Sequence, residues 1–211
     1  MIHDLTITLN EKTLPFLPAN DPYLKWEYTV THDQHQVQVS YISMSSHIGT
    51  HVDAPRHFID GGKTTAQIDL SKYCGQAVCL NVPNVKADEV LDFSEVMEAN
   101  KALIKSGDII IFHTGWEDMV GTPEYFEYPD FHSDTGKLLT KFGINGIGFD
   151  LPSIDRGGPI HRDILGRDIG IIESLINLKP LIGKRFYFSA VPLKFEVGDG
   201  SPVRAYAVTD D

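Results

Sequence analysis

Four potential donors crowd one short stretch of this chain: His47, His51, Asp53 and His57 all fall within the eleven residues 47–57. Imidazole and carboxylate together suit zinc, iron, manganese or nickel, and no thiolate lies nearby. His47 and His51 are four apart, which on a helix would place both on one face. Gly49, the β-branched Thr50 and Val52, and Pro55 all disfavour a helix here. Read as a strand, residues 47, 49, 51 and 53 share one face, because side chains alternate. A straight strand rising ~3.3 Å per residue would hold the two histidine Cα atoms about 13 Å apart, at the limit of reach for bonds of about 2 Å to one ion. The segment is therefore expected to bend, and Gly49 permits a bulge or bend at low steric cost. A lone histidine is ordinarily a core or surface residue held by a backbone carbonyl. Three of them with an aspartate, interleaved with Gly and Pro, point instead to a metal.

Three ligands leave a metal under-coordinated, and the stretch 157–175 offers His161, Asp163, Asp168 and Glu173. Glu173 ends an apolar run, where a carboxylate is costly unless paired or bound to a cation. His161 follows Gly157-Gly158-Pro159, a loop able to deliver it to a site, whereas Asp163 and Asp168 read more readily as solvated turn residues. Spacing alone does not choose the second set. His113 reads as core or as a support beside the site, and Cys74 and Cys79 as small buried residues. Arg204 reads as the partner of an acid or of a substrate carboxylate, and His3, His32, His35 and His132 as surface residues. Gly62-Lys63-Thr64 lacks the upstream glycine of a phosphate-binding loop, since His57 occupies that position. Gly143, Gly146 and Gly148 have the wrong spacing for a dinucleotide fingerprint, and neither H-E-x-x-H nor G-x-S-x-G occurs.

The elements that must position these donors mix strands and helices. Val37, Val39 and Tyr41 alternate as a half-buried strand would, and the runs 77–82, 108–113, 144–150, 167–173 and 185–191 read as buried strands. Helical spacing of Phe93, Val96, Met97, Leu103 and Ile104 predicts a helix before Gly107, opened by a capping box of Asp92 and Glu95. Further helices are expected over 133–142 and from about 174 to 182. Residues 115–133 lack periodicity and read either as a surface loop or as a lid or oligomer contact.

At 211 residues, 42% hydrophobic and 22% charged, the chain is expected to form one domain spanning 1–211. Its 29 acidic and 18 basic residues leave a net charge of -11, which repels phosphate backbones and anionic lipid. Neither nucleic acid nor a membrane is an expected partner. Two cysteines make no disulfide framework, the opening MIHDLTITLN lacks a basic region followed by an apolar run, and nothing approaches the roughly 20 apolar residues of a bilayer span. A cytoplasmic protein is the expectation.

The segment fits H-x-G-T-H-x-D-x-P-x-H through His47, Gly49, Thr50, His51, Asp53, Pro55 and His57. It resembles the metal-dependent cyclase-like amidohydrolase family, which includes bacterial kynurenine formamidase and isatin hydrolase. Thr114-Gly115-Trp116, the run Asp150 to Asp155, His161, Glu173 and the run Gly200 to Arg204 also look like family features, so the resemblance covers nearly the whole chain. It implies an α+β fold of the swivelling β/β/α type, with mixed sheets and flanking helices, in a homodimer or homotetramer. It also implies two divalent ions per chain, Zn2+ or alternatively Mn2+. His47, His51 and Asp53 would hold one ion, and Asp53 would bridge to a second held by His161 and Glu173. His57 would stand beside the metals as the general acid/base. The implied reaction is hydrolysis of a small amide by metal-activated water, with an aryl formamide such as N-formylkynurenine as the leading substrate. Hydrolysis of a cyclic amide or ester, a cyclase or dehydratase activity, and a non-enzymatic metal-binding role are the alternatives. One departure lies at Phe16 to Pro22, where Ala19 replaces the glycine of the family's Pro-Gly-Asp turn and Asn20 is inserted or substituted before Asp21. That loop helps form the substrate pocket in relatives, so the departure bears on specificity and not on the metal chemistry.

Overall fold

The runs 77–82, 108–113 and 144–150 are apolar at both parities, so strands built from them need cover on both faces. The computed structural model, which describes residues 1–13, 15 and 23–210, places them at the centre of a nine-stranded sheet. The first elements are β1 (Ile2–Asp4), β2 (Lys25–Val30), α1 (His32–His35), β3 (Val39–Ser43), β4 (His51–Asp53) and β5 (Cys74–Asn81). They are followed by β6 (Val90–Leu91), α2 (Ser94–Ala99), β7 (Ile109–His113), β8 (Asp130–Phe131), α3 (Thr135–Phe142) and β9 (Gly146–Phe149). The last are α4 (Pro159–Gly166), β10 (Gly170–Glu173), β11 (Arg185–Ser189), β12 (Gly200–Pro202) and β13 (Tyr206–Val208). The sheet runs β1-β13-β11-β5-β7-β9-β10-β4-β12. Strands β5, β7, β9 and β10 are parallel to their neighbours within that set, and the outer pairs are antiparallel. The pairs β2–β3 and β6–β8 form separate two-stranded sheets. The fold is thus mixed α+β, as expected.

Alternation along the strands divides the interior into two cores. Val78, Ile110, Phe112, Ile147, Phe149 and Ile171 face one, which α3 and α4 cover with Leu139, Ile160 and Ile164. Ala77, Cys79, Ile109, Ile111, Ile172 and Val52 face the other, closed by Leu175, Leu178, Phe186 and Phe188. Because Val52 points into the second core, its neighbours His51 and Asp53 point to the α4 side.

Several expected elements differ. No α-helix forms over 174–182: Ser174 and Asn177 have φ of +60°, and only Lys179–Leu181 makes a single 3-10 turn. The backbone there serves tertiary contacts, with N–H groups of Ser174, Leu175 and Ile176 donating to Leu151, Phe149 and Leu5. Conversely, the segment read as a loop carrying His161 becomes α4, started by Pro159 at its first turn. The helix expected before Gly107 is short, ending at Ala99, where the Asn100 side chain donates to the Val96 carbonyl. Asp92, not a capping box with Glu95, opens it by accepting from the Ser94 N–H at 2.8 Å. Residues 115–133 are not a simple surface loop: they hold two 3-10 turns, with Trp116, Tyr125, Tyr128 and Phe131 buried. Of the strand expected at Val37, Val39 and Tyr41, only the part from Val39 forms, as β3, and all three side chains are exposed in the single chain where half-burial was expected.

Candidate metal centre

Register places the first donors. Strand β10 lies antiparallel to β4 with Glu173 opposite His51 and Ile171 opposite Asp53, so His51, Asp53 and Glu173 share one face of adjacent strands. On the other side of β4, Gly200 of β12 stands opposite Asp53. The strand expected to run from residue 47 begins only at His51; residues 46–50 form a turn, with Gly49 at φ +61°, a region favouring glycine. The required bend is therefore a full turn, and it brings the His47 and His51 rings to 5.1 Å between centroids. The first turn of α4 adds His161, and the 3-10 turn Pro55–His57 adds His57.

The donor atoms converge on Asp53. Its Oδ1 lies 2.9 Å from His47 Nδ1 and 3.6 Å from His51 Nε2. Its Oδ2 lies 3.5 Å from His161 Nε2, which is 3.3 Å from Glu173 Oε1. Glu173 Oε2 is 3.3 Å from His51 Nε2, so this carboxylate faces both imidazoles. Two sets, His47/His51/Asp53 and Asp53/His161/Glu173, each have ligand atoms within 4.8 Å of one another. Ligand bonds of about 2 Å are compatible with that spacing. Asp53 is 1% exposed, yet neither carboxylate oxygen has a hydrogen-bond partner. A buried carboxylate needs positive charge beside it, which protonated imidazoles supply in the metal-free chain and a cation on each side would supply in their place. The residues present therefore fit a pair of divalent ions.

The far sides of the imidazoles are also occupied. His51 Nδ1 meets the Gly49 carbonyl at 2.8 Å, and His161 Nδ1 meets Asp155 Oδ1 at 2.6 Å. Either contact leaves Nε2 facing the centre. The His57 ring stacks on His47 at 3.9 Å and stands in neither Asp53 set; instead it groups with His47 and Asp199. Asp155 and Asp199 carry no role on spacing alone. Asp155 lies inside a quoted family block, and Asp199, flanked by two glycines, directly precedes another. Asp168 pairs with Lys63 and is exposed, as expected of a solvated turn residue, whereas Asp163 is not one: it lies half-buried within α4, paired with Arg167, and both stand away from the centre. Arg204 pairs with Asp4, and His113 Nδ1 meets Asn81 Oδ1 at 2.9 Å. Burial pushes the Cys79 thiol up to about 12, as befits an inert core residue. Phe16 to Pro22 lie outside the described residues.

Burial opposes charge on His47, but Asp199 and Asp53 outweigh it and raise its pKa to about 10. His161 is likewise raised to about 10, burial being outweighed by Asp155 and Glu173. Burial would lift Asp53, but the surrounding His47, His51 and His161 hold it far below the usual carboxylate range. Without metal, His47 and His161 are therefore protonated at neutral pH. A group raised in the folded state contributes stability that is complete below its unfolded value of about 6.5. That contribution fades as pH rises through about 10. A cation must displace these protons, so its affinity should rise with pH up to that value. Calorimetric titration in buffers of different ionisation enthalpy is expected to show release of protons on loading at pH 7; a loading with none would contradict the charge state described.

Two cavities meet the cluster. One of about 300 Å³ reaches His47 and His51 and is walled by Ile7, Val120, Tyr125, Phe126 and Pro152. The other, about 380 Å³, holds His57, Phe58, Arg156 and Asp199. Among the described residues no helix is long and apolar enough to cross a membrane.

The Cyclase family, described as "Putative cyclase", matches residues 3–156. The kynurenine formamidase of Geobacillus thermodenitrificans is 32% identical over 212 residues, covering 96% of this chain and 94% of that protein. A solved structure of a predicted metal-dependent hydrolase from Bacillus stearothermophilus superposes with a TM-score of 0.78 at 25% identity, covering 98% of this chain and 97% of that one. An isatin hydrolase bound to the product analogue thioisatinate superposes with a TM-score of 0.87, covering 100% and 92%; at 24% identity it bears on the fold alone.

Proposed function

The chain belongs to the Cyclase family, and from that premise we propose that it is a metal-dependent amidohydrolase cleaving the C–N bond of a small aryl formamide, with N-formylkynurenine as the leading substrate. The observation that carries this reading is the buried Asp53 carboxylate, faced at both oxygens by converging imidazoles. His47, His51 and Asp53 would hold one divalent ion, and Asp53, His161 and Glu173 a second. Zn2+ suits this donor set, and Mn2+ is the alternative. Such ions supply Lewis acidity at a carbonyl and lower the pKa of water toward neutrality.

The chain's own groups do the rest. Burial lowers the pKa of His57, so its imidazole is neutral at pH 7 and able to accept a proton from water. It then returns that proton to the departing aryl nitrogen, which leaves poorly as an anion. The water oxygen bonds to the formyl carbon as the C–N bond breaks, giving an aryl amine and formic acid, which releases its proton to solvent as formate, and His57 ends as it began. The walls of the 300 Å³ cavity, Tyr125, Phe126 and Pro152 among them, offer an apolar slot for the aromatic ring.

The test is purified protein loaded with Zn2+ or Mn2+, assayed on N-formylkynurenine, isatin and simple esters, with ions per chain counted by elemental analysis. Two ions and formamide turnover are expected. Turnover of isatin alone would move the substrate class to cyclic amides. No turnover by the fully loaded protein would leave a metal-binding role.

We also assign a homo-oligomer in the cytoplasm, a compartment that suits the free thiols of Cys74 and Cys79. The β2–β3 ribbon supports the oligomer: it pairs with no strand of the large sheet, and Tyr28 and Tyr41 are 59% and 58% exposed. A lone two-stranded ribbon is marginal in water, and so much apolar surface is normally covered. Sedimentation velocity is expected to give a dimer or tetramer, which Tyr28→Lys with Tyr41→Lys shifts toward monomer; a monomeric parent protein would contradict the assignment.

A further inference from the structure

We infer that Asp199 is the residue that positions His47 for the cation set it shares with His51 and Asp53, as Asp155 positions His161 for the other set; this rests on the metal-centre reading above. His47 differs from the other two imidazoles in the atom it aims. It turns Nδ1 to Asp53, whereas His51 and His161 turn Nε2 inward. The proton of a ligating neutral His47 must then sit on Nε2. That atom is buried with no hydrogen-bond partner, and the nearest carboxylate oxygen is Asp199 Oδ2 at 3.5 Å. A carboxylate there favours the tautomer with a free Nδ1 lone pair and resists rotation of the ring.

Asp199 is itself held in place. Its Oδ1 accepts from the Ser46 hydroxyl at 2.9 Å, and its backbone carbonyl accepts from the Ala54 N–H at 2.8 Å. Ser46 directly precedes His47, so one contact ties the carboxylate to the turn that carries the ring. The next residue, Gly200, leaves the room this needs: a Cβ there would stand 2.5 Å from His47 Cε1 and 2.9 Å from Nε2. Asp199 Oδ2 is also 4.0 Å from His57 Nδ1, so the same carboxylate faces the metal-ligand candidate and the acid/base candidate. Asp155 performs the matching task on the other side, accepting from the N–H groups of Gly158 and Ile160 while meeting His161 Nδ1.

The two sets differ in imidazole count, two against one, which gives bound Co2+ distinguishable electronic spectra. Metal-free protein is titrated with Co2+ and both binding steps are followed. Loss of a carboxylate behind a ligating histidine typically weakens metal binding about 10- to 100-fold. Asp199→Ala is expected to weaken the two-imidazole step by about that factor and to leave the other within about twofold, with Asp199→Glu restoring part of the loss. Asp155→Asn, milder than alanine because Asp155 also opens α4, should weaken the other step instead. Equal weakening of both steps by Asp199→Ala, or no change in either, overturns the inference. Loss of a whole third equivalent would make Asp199 a ligand with His47 and His57, which also overturns it. Parent protein that takes up no Co2+ overturns the metal centre itself, and the inference with it.

Discussion

Replacing His57 with alanine is expected to lower turnover by about 10²- to 10⁴-fold, the usual range for a positioned proton-transfer group, while both ions stay bound. The separation follows from where the ring stands. His57 stacks on His47 and is grouped with neither Asp53 set, so its removal takes no donor from either. Its side chain is 30% exposed, enough to reach a substrate, and burial keeps the imidazole neutral near pH 7. His57→Gln fills the space beside His47 and separates lost proton transfer from lost packing; its turnover should be as low. Elemental analysis and steady-state kinetics on the same preparation provide the check. Stoichiometry falling to one ion in either variant would make His57 a ligand and leave the reaction without its proton carrier.

Replacing Asp53 with asparagine should have the broadest effect, because it is the one side chain common to both donor sets. Ion content is expected to fall below one per chain and activity to background. The fold should survive, because asparagine keeps the shape of the side chain, the backbone at Asp53 is held between β10 and β12 and the Asp53 carbonyl accepts from the Tyr73 hydroxyl at 2.7 Å. The lost charge facing His47 and His161 should lower the stability of the metal-free protein. For the parent protein, cation at 100 to 1,000 times Kd adds about 3–4 kcal/mol of stability by mass action. Asp53→Asn should gain almost none, so its melting temperature becomes insensitive to added metal or chelator. Retention of two tightly bound ions would show that the carboxylate does not bridge.

Much of the centre is legible before any coordinates. Imidazole and carboxylate donors spaced over 47–57, with a glycine between them, already point to a bend and to a cation. The carboxylate of Glu173 at the end of an apolar run already requires a partner. The buried strands β5, β7, β9 and β10 read correctly from continuous apolar runs, because cover on both faces erases alternation, whereas β11, from the run 185–191, leaves Tyr187 exposed. The misreadings lie where tertiary contacts outweigh local pattern. Leu175, Leu178 and Leu181 have helix-like spacing, but their backbone is recruited by neighbouring strands and loops. The alternating ribbon at Val39 and Tyr41 finds no core among the described residues.

Residue types and short-range spacing alone determined the chemistry: which donors exist, that they prefer a divalent ion, and that the net charge of -11 disfavours phosphate polymers. Only the tertiary structure decided which distant groups join them. The antiparallel register of β10 against β4 sets Glu173 beside His51, α4 swings His161 to the second oxygen of Asp53, and the bend leading into β12 sets Asp199 behind His47. Those pairings span up to about 150 residues of chain and arise from strand order and core packing, which no local periodicity encodes.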